Sequence, residues 1–228
     1  MLDTAAAFAG RYGAMLLEGI GDTLIMTFVS TIFAYVIGLP LGVLLVITRE
    51  HGICRNRAAN SIIGWIVNIG RSLPFIILMV LLLPVTKAVM GTKLGVRGAI
   101  FPLVIAAAPF VARMVESSLS ELDEGVIEAA KAMGATNWQI IWKFYLPESL
   151  PSLVRGGSIS LITILAYTAI AGAIGAGGLG DIAIRYGYNR YQFDVLIVTV
   201  VLLIIIVEIF QTIFNLLAKR VDKRISKR

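Results

Sequence analysis

Long apolar runs, each bounded by charged residues, alternate along this chain with short polar stretches. Between Asp22 and Arg49 stand 26 residues without a charge. A second run extends from Ala58 to Val85, interrupted only by Arg71, and a third from Gly98 to Glu116, with Arg113 near its end. The fourth is the 25 uncharged residues between Arg155 and Asp181, and the last runs from Val195 to Ala218, interrupted only by Glu208. A helix needs about 20 residues to cross a hydrocarbon core ~30 Å thick. The pattern therefore predicts an all-α polytopic membrane protein with five spans, at about residues 23–48, 58–86, 98–120, 156–180 and 195–218.

Five spans put the termini on opposite sides, and Lys/Arg counts choose between the two orientations. With the C-terminus cytoplasmic, the inner segments hold Arg49, Arg55, Arg57, Arg113, Lys131, Lys143, Arg155 and the six basic residues of the tail KRVDKRISKR, thirteen in all. The outer segments hold six: Arg11, Lys87, Lys93, Arg97, Arg185 and Arg190. The N-terminus is expected outside. Pro40 and Pro74 fall inside spans, where a missing N–H kinks a helix and neighbours or water satisfy the freed carbonyl. Each reads as a packing kink or as a bend that moves during gating.

Composition agrees. Of 228 residues, 58% are hydrophobic and 15% charged, against about 45–50% and 25% in soluble domains. One membrane domain over residues 1–228 leaves little room for a soluble one. The net charge of +6 follows from the cytoplasmic excess of Lys and Arg and requires no nucleic acid. A single cysteine, Cys54, excludes an internal disulfide. His51, near Arg55 and Arg57, lacks the converging ligands a metal needs. The first twenty residues carry Asp3 and no basic leader, so they do not read as a cleaved signal peptide.

One polar segment is too well patterned to be a loop. In residues 121–151, Asp123 reads as an N-cap with Glu124 in the first turn, facing the positive end of the helix dipole. Val126, Ile127, Ala130 and Met133 recur at helical spacing on one face, with Glu124, Glu128 and Lys131 on the other. Gly134 closes this helix and Thr136, with Gln139 three residues on, opens the next as a capping box. Trp138, Ile141, Trp142 and Tyr145 are expected on one face of the second helix, with Pro147 and Pro151 bracketing its end. Helices lying flat on lipid are usually rich in Lys and Arg. Here Glu124, Glu128 and Glu148 offset Lys131 and Lys143, which favours a cytoplasmic knob that docks on protein, between spans three and four.

Other motifs exclude chemistry. Gly175, Gly177 and Gly180 satisfy G-x-G-x-x-G, but no strand precedes them, so the dinucleotide reading fails. Small residues such as Gly38, Gly42, Gly172, Gly175, Gly177, Gly178 and Gly180 are instead expected to let helices approach closely. No G-x-x-x-x-G-K-[ST] occurs, so the chain does not cradle ATP phosphates itself. It binds no cofactor, holds no catalytic residues, and any energy source is a partner. Arg71 and Glu208 lie well inside spans, where a charge costs at least ~2.5–3.5 kcal/mol. Either they pair, within or between subunits, or Arg71 lines the path and meets a substrate carboxylate.

The segment also carries a resemblance. Glu128-Ala129-Ala130, Gly134 four positions on, and Leu146-Pro147 resemble the EAA loop of ATP-binding-cassette (ABC) importer permeases; Phe144 stands where that pattern usually has isoleucine. TFVSTIFAYVIGLPLGVLL (27–45), NIGRSLPFIILM (68–79), AAPFVARMVE (107–116) and GAGGLG (175–180) are similar to the permeases of bacterial methionine ABC importers. The resemblance implies a homodimer in the bacterial inner membrane, two ABC ATPase subunits that bind ATP and Mg, and an extracytoplasmic methionine-binding lipoprotein. It assigns ATPase coupling to Glu128, Ala129, Ala130, Met133, Gly134, Ala135, Leu146 and Pro147, as a coupling helix docked in a cleft of the ATPase. A permease for an osmolyte or phosphonate, a passive channel, and a membrane scaffold remain the alternatives.

Overall fold

Helices form wherever the apolar runs allow the backbone to satisfy itself internally, as a lipid environment demands. The computed structural model describes residues 2–222, with side chains from Ala7 onward, and contains no strand among them. Lys223, Arg224, Lys227 and Arg228 of the basic tail lie outside the described residues. Helix α1 runs Leu2–Thr48, α2 Arg57–Ser72, α3 Phe75–Met90 and α4 Gly95–Ser120. The polar segment holds α5 (Glu124–Ala132) and α6 (Asn137–Ile140), the latter continued by a π-helical stretch, Ile141–Tyr145, and by α7 (Leu146–Glu148). Then come α8 (Leu150–Gly172), α9 (Gly178–Ile182) with a π-helical stretch Ala183–Tyr188, and α10 (Phe193–Val221).

Among the described residues, four helices are long and apolar enough to cross a membrane, or five spans if α2 and α3 form one broken span. The helices depart from the expected span bounds in three places. The helix that holds the first span begins at Leu2, well before residue 23, and Pro40 sits inside it without ending it. The second is broken rather than kinked. Leu73 is extended (φ −82°, ψ 126°) and Pro74 caps α3, because a residue preceding proline is driven out of the α region. The fourth helix ends at Gly172, eight residues short of the apolar run. Gly175, Gly177 and Gly178, at φ +91°, +83° and +77°, turn the chain there. They act through backbone conformation, and Gly178 also through close approach to α1, since a Cβ there would stand 2.7 Å from Thr23 Oγ1; Gly172 and Gly180 bring α8 and α9 together. A Cβ on Gly180 would stand 2.3 Å from the Ala169 carbonyl oxygen, and one on Gly172 2.4 Å from the Asp181 nitrogen.

The residue contacts group into two compact units: Met1–Ile32, Pro74–Val104 and Leu161–Ile209; and Phe33–Leu73, Ile105–Ser160 and Phe210–Arg228. In the first, Thr23 of α1 holds the glycine turn, its Oγ accepting from Leu179 N at 2.9 Å and donating to Gly19 O at 2.8 Å. Phe75 and Tyr167 stack with centroids 4.6 Å apart. In the second, α1 lies directly on α4. A Cβ at Gly38 would come within 2.8 Å of Ala108 O, and one at Gly42 within 2.6 Å of Ala112 O. Leu45, Val67 and Ala112 form a buried core there, with Leu41 and Ile63 against it. Asn60 Nδ2 donates to Leu45 O at 2.7 Å, fastening α2 to α1.

Candidate functional site: a capped helical pair

The segment after α4 folds as two helices because its ends are satisfied locally. Asp123 Oδ1 accepts from Gly125 N at 2.7 Å, capping α5. Gly134 ends it at φ +78°, the left-handed conformation that glycine adopts without a Cβ penalty. There Gly134 N donates to Lys131 O at 2.9 Å and Ala135 N to Ala130 O at 3.1 Å, taking up the last carbonyls of α5. Thr136 and Gln139 form the expected capping box: Gln139 N donates to Thr136 Oγ1 at 3.3 Å and Thr136 N to Gln139 Oε1 at 2.9 Å.

Faces differ from the expected ones in instructive ways. Ile127 and Ala130 are buried, whereas Val126 and Met133 face outward, Met133 being 73% exposed. Met133 is the C-cap residue, at φ −77° and ψ 2°, and no longer follows the helical stripe. In the second helix, Trp138 (68% exposed) and Trp142 (54%) stand outward with ring centroids 5.5 Å apart, while Ile140 and Tyr145 are buried. The π-helical stretch Ile141–Tyr145 adds a residue per turn and rotates Tyr145 off the tryptophan face. Pro147 lies inside α7, which ends at Glu148, between Pro147 and Pro151. Leu146 N donates to Ile141 O, five residues back, and the widened turn absorbs the missing proline donor, so Ser149 N still bonds Tyr145 O at 3.1 Å and Leu153 N bonds Ser149 O at 2.8 Å.

The remaining coupling candidates cluster around this frame. Glu128 and Ala129 are exposed on α5, Ala135 and Leu146 are half-buried, and Pro147 is exposed. Sequence reasoning missed the contribution of the α1–α2 loop. Arg49 Nη2 meets Glu124 Oε1 at 3.2 Å and Asn137 Nδ2 reaches Cys54 Sγ at 3.1 Å, pairings separated by 75 and 83 residues. A groove of about 310 Å³ runs between loop and pair, lined by Arg49, His51, Glu124, Glu128, Lys131 and Tyr145 among others. Burial pushes the Tyr145 phenol above its ordinary value; the nearby Arg49 cation lowers it and Glu124 raises it. The phenol stays neutral at physiological pH. Arg71 and Glu208 are both exposed.

The chain belongs to the family of binding-protein-dependent transport system inner membrane components, which it matches over residues 38–227. It is 50% identical to the methionine import system permease protein MetP of Bacillus subtilis, over 79% of this chain and 82% of that protein. It is 51% identical to the D-methionine transport system permease protein MetI of Escherichia coli, over 69% of this chain and 73% of that protein. Its fold is similar to a chain of the inward-facing MetNI methionine ABC transporter, with a TM-score of 0.92 and 47% identity, covering 93% of this chain and 99% of that one.

Proposed function

We propose that this chain is the membrane-spanning subunit of an ATP-driven methionine importer working by alternating access. The observation that carries the reading is the capped pair hinged at Gly134 in a chain close to half identical to methionine permeases along most of its length. Two copies associate, each with five spans counting α2–α3 as one, N-terminus outside and C-terminus in the cytoplasm. Two ABC ATPase subunits bind ATP and Mg and do the hydrolysis, and an extracytoplasmic lipoprotein delivers methionine. Met133, Trp138 and Trp142 offer the ATPase an apolar contact, with Glu128 and Lys131 beside it. ATP closing the ATPase dimer draws the two helical pairs together and opens the spans outward; loss of the closed state reverses it. Arg71 and Glu208 take partners from the second copy, because an unpaired charge in an apolar helix is costly.

The test is uptake of labelled methionine by the native host with this gene deleted and then restored. Loss and rescue, both abolished by ATP depletion, are expected. Unchanged uptake in a host lacking other methionine transporters would remove methionine as the substrate and leave the importer class.

A further inference from the structure

Helix α2 divides around its circumference into an inner, an apolar and a polar sector. Asn60, Ile63, Val67 and Gly70 recur three or four residues apart on the inner one. Ile63 packs against the core of Leu45, Val67 and Ala112, Asn60 Nδ2 bonds Leu45 O, and a Cβ on Gly70 would stand 2.5 Å from Pro109 Cγ. The apolar sector carries Ile62, Trp65, Ile66 and Ile69, all exposed. The polar sector holds Ser61, Gly64, Asn68, Arg71 and Ser72, again at helical spacing, and its side chains are exposed too. From Ser61 to Ser72 it runs about 16 Å, more than half of a hydrocarbon core ~30 Å thick.

That polar sector does not suit lipid. A charge inside a span costs at least ~2.5–3.5 kcal/mol and is turned toward protein or a water-filled cavity. Helix α4 extends the same polar surface. Arg113, about a quarter exposed, donates through Nη2 to Asn68 Oδ1 at 2.7 Å and pairs through Nη1 with Glu116. Gly64 leaves the guanidinium room, since a Cβ there would stand 3.9 Å from Arg113 Nη2. Packed protein does not suit the sector either. Sealed against itself in a second copy, it would set Arg71 against Arg71 with water excluded, where like charges repel most. Sealed against the exposed isoleucines and valines of α10, it would desolvate Arg71 and the Asn68–Arg113–Glu116 network with nothing polar in return. Water is the medium this surface fits.

We propose that the polar sector of α2, with Arg113 and Glu116 of α4, is one wall of the water-filled path along which a zwitterionic solute crosses the membrane. Arg71 and Arg113 attract its carboxylate, while Glu116 and the hydroxyl oxygens of Ser61 and Ser72 accept from its ammonium. Ile62, Trp65, Ile66 and Ile69 face lipid. The inference rests on the importer reading and adds to it the face of the span that the solute follows.

Cysteine accessibility tests it, on the full complex with its ATPase subunits in lipid nanodiscs, whose two faces both meet solvent. The background is Cys54→Ser, whose hydroxyl can still accept from Asn137. Ser61→Cys and Ser72→Cys probe the polar sector, and Ile62→Cys and Ile66→Cys the apolar one. Each is treated with a trimethylammonium methanethiosulfonate and the adduct is read as a mass shift. The thiolate is the reacting form, and apolar surroundings keep a thiol protonated. The polar-sector cysteines should therefore react at least about tenfold faster, each unit of thiol pKa being a factor of ten. After modification and transfer to vesicles, the Ser61→Cys adduct should abolish ATP-driven methionine uptake and the Ile62→Cys adduct should leave most of it. Equal rates in the two sectors, faster reaction of the apolar one, or full uptake with position 61 fully modified would overturn the assignment. Absence of methionine uptake by the untreated wild-type complex would count against the importer reading instead, and the difference in rates decides the wall by itself.

Discussion

Replacing Gly134 isolates the hinge between the two helices of the polar pair. Its φ of +78° places it in the left-handed region, and a Cβ added there would meet nothing within 4 Å. Substitution therefore introduces backbone strain without a steric clash, which makes the cost predictable. An L-residue in this conformation costs roughly 1–2 kcal/mol, asparagine less, and a β-branched residue most. A penalty of that size shifts a local equilibrium about 5–30-fold, enough to move the pair off its docked geometry while the long helices stay folded. The expected order of lost coupling is Gly134→Asn, then Gly134→Ala, then Gly134→Val. The assay is ATP-driven methionine uptake into vesicles containing the full complex, run beside ATPase rate and thermal unfolding of the same preparations. Hydrolysis should persist as uptake falls, with little change in the melting temperature. Full uptake by Gly134→Val would refute the hinge argument, and so would a graded loss that follows melting temperature.

Gly38→Val or Gly42→Val should force α1 away from the α4 backbone it now touches and destabilise the protein by about 1–3 kcal/mol, measured as earlier thermal aggregation in detergent. For Arg71 and Glu208, the single changes Arg71→Met and Glu208→Leu should each lower dimer stability and the double variant should recover much of the loss; strictly additive losses would dismiss a pair between copies. Tyr145 supplies a pH test. Its raised folded-state value means its neutral form stabilises the pair fully below the unfolded pKa of about 10 and that this contribution is lost as pH rises through the folded value. Alkaline loosening of the pair, followed by tryptophan fluorescence in a Trp65→Phe background, should be absent in Tyr145→Phe.

Features set by a few neighbouring residues were legible in the chain alone. The Asp123 cap, the Thr136–Gln139 box and the Gly134 stop each need only a side chain and the backbone within three or four residues, and all three stand where the pattern places them. The long apolar helices α4 and α10 were legible for a similar reason, since length and hydropathy decide them. Register and continuity were not. The break at Leu73–Pro74, the early end of α8 at Gly172 and the widened turn before Pro147 each depend on whether a distorted backbone is satisfied by its surroundings. Thr23, 156 residues from Leu179, supplies such satisfaction, and nothing in its local sequence announces it. The Arg49–Glu124 and Cys54–Asn137 contacts were hidden on the same ground. The face of the second helix was misjudged because a π-helical stretch changes the periodicity on which the reading of a stripe depends.

Those two long-range contacts have a mechanical meaning. A helical pair joined to its protein only at its own two ends would behave as a flap, and much of any push on it would be lost in bending at Gly134. Here the first helix is pinned through Glu124 to Arg49, beside the end of α1, and the second through Asn137 to Cys54, just before α2. Each half has its own anchor on the same loop, one on either side of the hinge. On the proposed function, a load applied at Trp138 and Trp142 would reach α1 and α2 through these two contacts, as well as α4 and α8 through the chain itself.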